Sequence, residues 1–175
     1  MILKGFKEKS IKKKLNALLD SPKVVVEDGF VKSIGVLFNA DEVGDFEMFK
    51  SLSDYLNVRP NKLKIIAFTE NKKENLFSWN VCFNPKDIGW HGKINNTELE
   101  TFLNADFDLL ISFYTSDILE LKLLTALSKA KYKAGIFQND KRLNDLIIST
   151  EVKQFSAFKS ELKKYLKVFN KLRNE

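Results

Sequence analysis

The sequence predicts an α/β protein built on a three-layer, Rossmann-like open sheet that is mainly parallel and has about five or six strands. Two patterns predict this fold: short apolar runs end in polar residues, as buried parallel strands do, and segments of helical periodicity lie between those runs. Such alternation indicates right-handed crossovers and a helical layer on each face of the sheet. Residues 1–175 are expected to form a single domain with a basic helix at each end.

Each predicted strand is a short run rich in β-branched or aromatic side chains. Five such runs are found at residues 33–39, 63–69, 79–84, 109–114 and 133–138, and a sixth strand is predicted at 146–148. The Asp28-Gly29 pair is typical of a type I′ hairpin, but a plain loop after the first helix explains it equally well. The polar segment 71–78 indicates a short or irregular connection.

Each predicted helix is a stripe of apolar residues at helical spacing. A weak stripe with a dense lysine face opens the chain, and its apolar members are Phe6, Ile11, Leu15, Leu18 and Leu19. A second helix is predicted from Phe46, Phe49, Leu52 and Leu56. The closing helix has the longest stripe, with steps of three and four residues through Phe155, Phe158, Leu162, Tyr165, Phe169 and Leu172.

Two further helices carry candidate N-terminal caps. The stripe of Leu99, Phe102 and Leu103 is predicted to open with a capping box made by Thr97 and Glu100. The stripe that contains Leu119, Leu123, Leu124 and Leu127 is predicted to open at Thr115 or Ser116.

The charge is unevenly distributed along the chain. The formal net charge is +6, from 29 basic and 23 acidic residues, and both ends are strongly basic whereas the middle is slightly acidic. Lysine outnumbers arginine 26 to 3, which disfavours a sequence-specific reader of nucleic acid, because arginine supplies the forked contacts that read bases. The lysine-rich terminal helices are nevertheless candidates for electrostatic association with nucleic acid or an anionic membrane.

The expected location is the cytoplasm. The first residues lack the apolar core of a secretory signal, and the single cysteine, Cys82, cannot form an intramolecular disulfide. No run approaches the roughly 20 apolar residues that a membrane-spanning helix needs, so no transmembrane segment is predicted.

Common catalytic and cofactor motifs do not occur in the sequence. The seven glycines fit neither a dinucleotide-binding nor a phosphate-binding loop. Cys82 and His91 are the only members of their types, too few for a usual zinc site, and Cys82 lies in an apolar strand where a thiol is normally inert. The sequence therefore assigns no catalytic residue, no metal and no cofactor.

Candidate ligand-binding residues follow the predicted strands, because open parallel sheets bind ligands beyond the carboxyl ends of their strands. The polar residues there are Asn39, Asp41, Thr69, Asn84, Lys86, Trp90, His91, Thr115, Ser116 and Asn139. Their polarity is also typical of solvated turns.

Acidic residues limit what this region binds. A phosphate without a metal ion would meet repulsion from Asp41, Glu42 and Asp117 at two helix starts. Asp41, Glu42 and Asp140 are candidate Mg²⁺ ligands through water, although helix capping explains the first-turn acids without a metal.

The loop at 84–93 combines a tryptophan, the sole histidine and two glycines. An exposed Trp90 would stack on a base, a sugar ring or a partner side chain. The alternative is that Trp90 caps the sheet while Gly89 and Gly92 supply positive φ for a turn.

Five segments of the chain carry a resemblance to a known family: 1–7, 33–41, 59–63, 84–87 and 119–124. Together they resemble an uncharacterised bacterial family of similar length, a domain of unknown function. The resemblance covers essentially the whole chain and implies no activity, cofactor or catalytic residue. The segment from Phe107 to Gln138 is similar to a strand–helix–strand unit in the amino-terminal half of heptosyltransferase-type glycosyltransferases. Such enzymes hold the donor nucleotide-sugar mainly in their second half.

The leading hypothesis is a small non-catalytic binding or interaction protein whose partner is a protein or a small ligand. A Mg²⁺-dependent transferase-like or nucleotide-sugar-binding domain that uses the strand-end acids is one alternative. Electrostatic association of the lysine-rich ends with nucleic acid or an anionic membrane is the other.

Overall fold

A computed structural model describes residues 2–23, 29–70 and 81–173. Its helices are α1 (Ile2–Asp20), α2 (Glu47–Tyr55), α3 (Thr97–Asn104), α4 (Leu119–Leu127) and α5 (Phe155–Val168). Its strands are β1 (Ile34–Asn39), β2 (Leu63–Phe68), β3 (Val81–Phe83), β4 (Leu109–Phe113), β5 (Tyr132–Gly135) and β6 (Leu146–Ile147). The hairpin interpretation of Asp28-Gly29, the polar connection at 71–78 and the first two residues of the predicted strand at 79–84 fall outside the described residues.

The described strands form one sheet in the order β3-β2-β1-β4-β5-β6, and each neighbouring pair is parallel. This confirms the predicted α/β, Rossmann-like open sheet, including the sixth strand. The chain moves outward from β1 through β2 to β3 and then returns to place β4 on the other side of β1. The loops after β1 and β4 therefore flank the point where the strand order reverses, the usual position of a ligand in this class of sheet.

Helices cover both faces of the sheet. On one face, Val36 and Phe38 of β1 pack with Phe49 of α2 and Phe158 of α5. On the other face, the core joins Leu37 of β1 with side chains from α1, α3 and α4, including Ile11, Phe102 and Leu124. Successive strand residues point to opposite faces, so β1 supplies both cores and is buried along its whole length.

The start of α3 differs from the prediction by one residue. Asn96 has an extended backbone and is the N-cap, and its side chain accepts a hydrogen bond from the Leu99 amide at 3.1 Å. Thr97 already lies in the first turn, so the predicted capping box of Thr97 and Glu100 is wrong. Asparagine is among the best N-cap residues, and its own carbonyl accepts the first intrahelical bond from Glu100.

The prediction that α4 opens at Thr115 or Ser116 is also wrong. The helix begins at Leu119, and the residue before it makes no side-chain cap. Thr115 and Ser116 instead take part in a loop contact with a distant carboxylate, described below.

The terminal helices bury less than their stripes predict. In α1 only Ile11 and Leu15 are buried, and Phe6 is 57% exposed. α5 ends at Val168; beyond it, Phe169 is 47% exposed and Leu172 is buried. Within the described ranges, no helix combines the length and apolar character needed to cross a membrane.

Candidate functional site

The carboxyl-terminal edge of the sheet, here called the rim, holds the polar residues that follow the strands. At the end of β1, Asn39 is buried, and its side-chain oxygen accepts a hydrogen bond from the Asp41 amide at 3.0 Å. Its backbone carbonyl accepts bonds from Glu42 and Val43. Asn39 therefore fixes the tight turn that presents Asp41 and Glu42 to the neighbouring loops.

Asp41 joins the end of β1 to the end of β2. Its carboxylate accepts a hydrogen bond from the Thr69 hydroxyl at 2.8 Å and another from the Glu70 amide at 2.8 Å. The structure thus brings together three of the predicted site residues, Asn39, Asp41 and Thr69. Both oxygens of the Asp41 carboxylate are engaged by the chain itself.

Glu42 joins the end of β1 to the end of β4, across the point where the strand order reverses. Its carboxylate accepts hydrogen bonds from the backbone amides of Thr115 and Ser116, each at 3.1 Å, and from the Thr115 hydroxyl. Paired backbone amides of this kind also bind phosphate and carboxylate ligands in other proteins. Here the chain's own carboxylate takes that position.

The residues after β3 form a local cap rather than an open site. The Asn84 side chain accepts a hydrogen bond from the Lys86 amide at 2.9 Å, and the Asp87 carboxylate accepts one from the Asn84 amide at 2.9 Å. These reciprocal bonds make a capping box at a short 3₁₀ turn. Lys86 itself is exposed at this turn.

Trp90 and His91 lie on a turn that packs against α1. The His91 amide donates to the Ser10 hydroxyl at 3.1 Å, and Lys14 donates to the Gly92 carbonyl at 3.4 Å. His91 and Gly92 have positive φ, whereas Gly89 does not, so the expectation that Gly89 supplies positive φ is wrong. The Trp90 side chain is 47% exposed.

An ion pair connects the loop after β5 to α1. Arg142 forms ion pairs with Asp140 at 2.8 Å and with Asp20 at 2.7 Å, and the bonds from Arg142 hold the pKa of Asp140 below its usual value. Asp140, a candidate Mg²⁺ ligand from the sequence, is thus engaged by a guanidinium. Asn139 next to it is exposed.

No cluster of three or more His, Cys, Asp or Glu side chains suited to a metal ion is found in the described part of the chain. Burial raises the pKa of the Cys82 thiol, and the charges of Asp41 and Asp87 raise it further. A thiol of this kind stays protonated at neutral pH and is a poor nucleophile.

A cavity of about 480 Å³ lies at the opposite, amino-terminal edge of the sheet. Its walls come from the segment before β1, the turn between α2 and β2, and the end of α5. We call this site the basic cavity, because six of its lining residues are basic: Lys32, Arg59, Lys62, Lys163, Lys167 and Arg173. Its remaining walls include Phe30, Tyr55, Leu56 and Leu172.

A second cavity, of about 370 Å³, lies where α1 and α4 end. Lys133 borders it and donates to the carbonyls of Thr125 and Ala126, at 2.7 and 3.3 Å, in the last turn of α4. Burial lowers the pKa of Lys133 to about 8. The basic cavity is the larger of the two.

Sequence reasoning did not find the basic cavity. Its six cations come from three separate segments: three precede strands β1 and β2, and the other three lie in or just after α5. The excess of lysine in residues 151–175 was a signal, but the stripe of α5 indicated only that its apolar face packs on the sheet.

Comparison with protein families matches residues 7–169 to a family of unknown function (DUF6913). No curated protein and no solved structure is significantly similar to the chain. The resemblance of residues 107–138 to heptosyltransferase-type enzymes therefore gains no support.

Proposed function

The chain belongs to DUF6913, a family that brings no known activity with it, and from the geometry we propose that the protein is a non-catalytic binding protein. The observation that carries this proposal is the hydrogen bonding of the two rim carboxylates. The carboxylates of Asp41 and Glu42, which a rim enzyme would direct at a substrate or a metal ion, are hydrogen-bonded to the neighbouring loops.

A catalytic acid or base must reach the atom whose proton it moves. Asp41 accepts bonds from the loop after β2, and Glu42 accepts bonds from the loop after β4. Each carboxylate links two loops, and this role accounts for its position without a substrate. The two acids therefore support a structural function for the rim.

Asp41→Asn and Glu42→Gln test this assignment. We expect each variant to lower the free energy of unfolding by about 1 kcal/mol, because an amide replaces a charged hydrogen-bond acceptor on partly exposed groups. Thermal and urea denaturation measure the effect. Asp106→Asn, at an exposed position, is the control and should change stability by less than about 0.5 kcal/mol.

The same variants distinguish binding from catalysis. The wild-type protein should show no turnover when it is incubated with nucleotides or nucleotide-sugars and Mg²⁺, and Mg²⁺ should not increase any thermal shift that these compounds cause. Mg²⁺-dependent turnover that Asp41→Asn abolishes while stability stays unchanged would contradict the proposal. It would establish the transferase-like alternative.

Association of the lysine-rich helices with a polyanion, such as nucleic acid or an anionic membrane, is the second candidate function. The observation in its favour lies in α1, where the exposed Lys12 and Lys13 follow a first turn that exposes Ile2 and Leu3. Basic helices with exposed apolar residues bind anionic surfaces.

Binding to heparin at increasing salt tests this second candidate. We expect affinity to fall steeply with ionic strength and to drop about ten-fold in the double variant Lys12→Gln, Lys13→Gln. Lys14 is left unchanged because it donates to the Gly92 carbonyl. Affinity that is insensitive to salt and to both substitutions would rule the candidate out.

A further inference from the structure

The basic cavity at the amino-terminal edge of the sheet has the features of a ligand site that the rim lacks. We propose that it binds a small organic polyanion carrying at least two phosphate or carboxylate charges. The assignment rests on the proposed binding role and gives that role a site and a class of ligand.

The first feature is a concentration of positive charge. Six basic side chains line the cavity: Lys32, Arg59, Lys62, Lys163, Lys167 and Arg173. None of the lining residues that the structure describes is acidic. Across the described residues, each ion pair with an acidic side chain involves other cations. Cations gathered in one concave site repel one another, and a bound anion would relieve that repulsion.

The second feature is where two of these cations lie. The Lys163 ammonium is 4.8 Å from the centre of the Tyr55 ring, and the Arg173 guanidinium is 5.5 Å from the centre of the Phe30 ring. Contacts of this kind are weak near the surface. Both cations can turn toward an anion at small cost and leave an aromatic face for the carbon skeleton of the ligand.

The third feature is a fixed wall. The Val31 amide donates to the Lys171 carbonyl at 2.8 Å and joins the segment before β1 to the end of the chain. The Val58 amide donates to the Ser53 carbonyl at 2.7 Å and closes the turn after α2, where Asn57 has a φ of 56°. The cavity is therefore held by backbone hydrogen bonds on two sides.

These features define the ligand by its chemistry. A volume of about 480 Å³ is within the range of small-molecule sites and accommodates a molecule of nucleotide size. Arg59 and Arg173 offer forked donors that match phosphate and carboxylate oxygens, and the lysines add point charges. The apolar wall of Leu56 and Leu172 favours a ligand that has an organic part.

Calorimetric titration of the intact protein at low salt tests the proposal, with ATP free of metal ions, pyrophosphate and adenosine as probes. We expect ATP to bind and adenosine not to bind. Lys163→Gln and Arg59→Gln should each weaken ATP binding about five-fold, because each removes one partly solvated charge contact. Lys164→Gln, on the same helix but outside the cavity and paired with Glu161, is the matched control and should change affinity less than about two-fold.

The probes also separate two sources of the anion. Binding of ATP and pyrophosphate with similar affinity supports a site for small polyanions in general, and binding of ATP alone supports a nucleotide. The proposal is overturned if neither ATP nor pyrophosphate binds with a dissociation constant below about 1 mM, or if only RNA or anionic vesicles bind. It is also overturned if Lys164→Gln weakens binding as much as Lys163→Gln. Failure of the probes to bind leaves the non-catalytic role standing, whereas turnover at the rim would overturn that role and leave the cavity untouched.

Discussion

Replacing Gly135 with alanine is expected to lower the free energy of unfolding by about 3 kcal/mol. Gly135 ends β5, and a Cβ atom there would lie 2.2 Å from the Ser112 hydroxyl and 2.7 Å from the Ser112 carbonyl. Because Ser112 belongs to the central strand β4 and donates to the buried Asn144 at 2.8 Å, neither group can move aside freely. Urea denaturation followed by circular dichroism measures the loss.

Gly5→Ala provides the matched control for this substitution. Gly5 lies within α1, and no atom comes within 4 Å of a Cβ built there. The change should raise the free energy of unfolding by about 0.5–1 kcal/mol, because alanine is the better helix former. A Gly135→Ala protein as stable as wild type would mean that β4 and β5 are not packed as described.

Replacing Phe49 with alanine is expected to lower the free energy of unfolding by about 4 kcal/mol. The Phe49 ring of α2 is fully buried, and its centre lies 4.9 Å from that of Phe38, 5.4 Å from that of Phe113 and 5.3 Å from that of Phe155. The substitution leaves a cavity where α2, α5 and the sheet meet. Chemical denaturation measures the effect.

Phe6→Ala is the corresponding control. Phe6 is 57% exposed on α1, so its loss should change stability by less than about 0.5 kcal/mol. Equal losses for Phe49→Ala and Phe6→Ala would contradict the placement of Phe49 in the core.

The elements of the sheet could be predicted because their signals are local. The runs that became β1, β2 and β4 are short and mostly apolar, and β1 and β4 are buried along their whole length, which is typical of strands covered on both faces. Their parallel order follows from the helices between them. The strands and the helical stripes therefore suffice for the fold class.

Helix starts were harder to predict because the choice of cap depends on tertiary contacts. Thr115 and Ser116 have good cap residue types, but Glu42, more than 70 residues away in the sequence, binds their amides. Asn96 precedes the threonine that the pattern favours. Periodicity locates the body of a helix, and neighbouring loops decide its first residue.

The candidate site could be predicted only in part. The sequence placed Asn39, Asp41, Thr69, Thr115 and Ser116 at strand ends, and the structure brings these residues into connected loops. The sequence did not indicate that the carboxylates of Asp41 and Glu42 would accept hydrogen bonds from those loops. The basic cavity was missed because its cations come from segments as far apart as Lys32 and Arg173, and no local pattern connects them.

The decisive experiment is an NMR titration of the isotope-labelled protein with ATP free of metal ions, because the amide shifts report which edge of the sheet receives the anion. We expect the largest amide shifts at Lys32, Asn57, Arg59 and Arg173, around the basic cavity. Shifts centred instead on Asp41, Thr115 and Ser116 would contradict this expectation, because they would show that an anion displaces Glu42 at the rim.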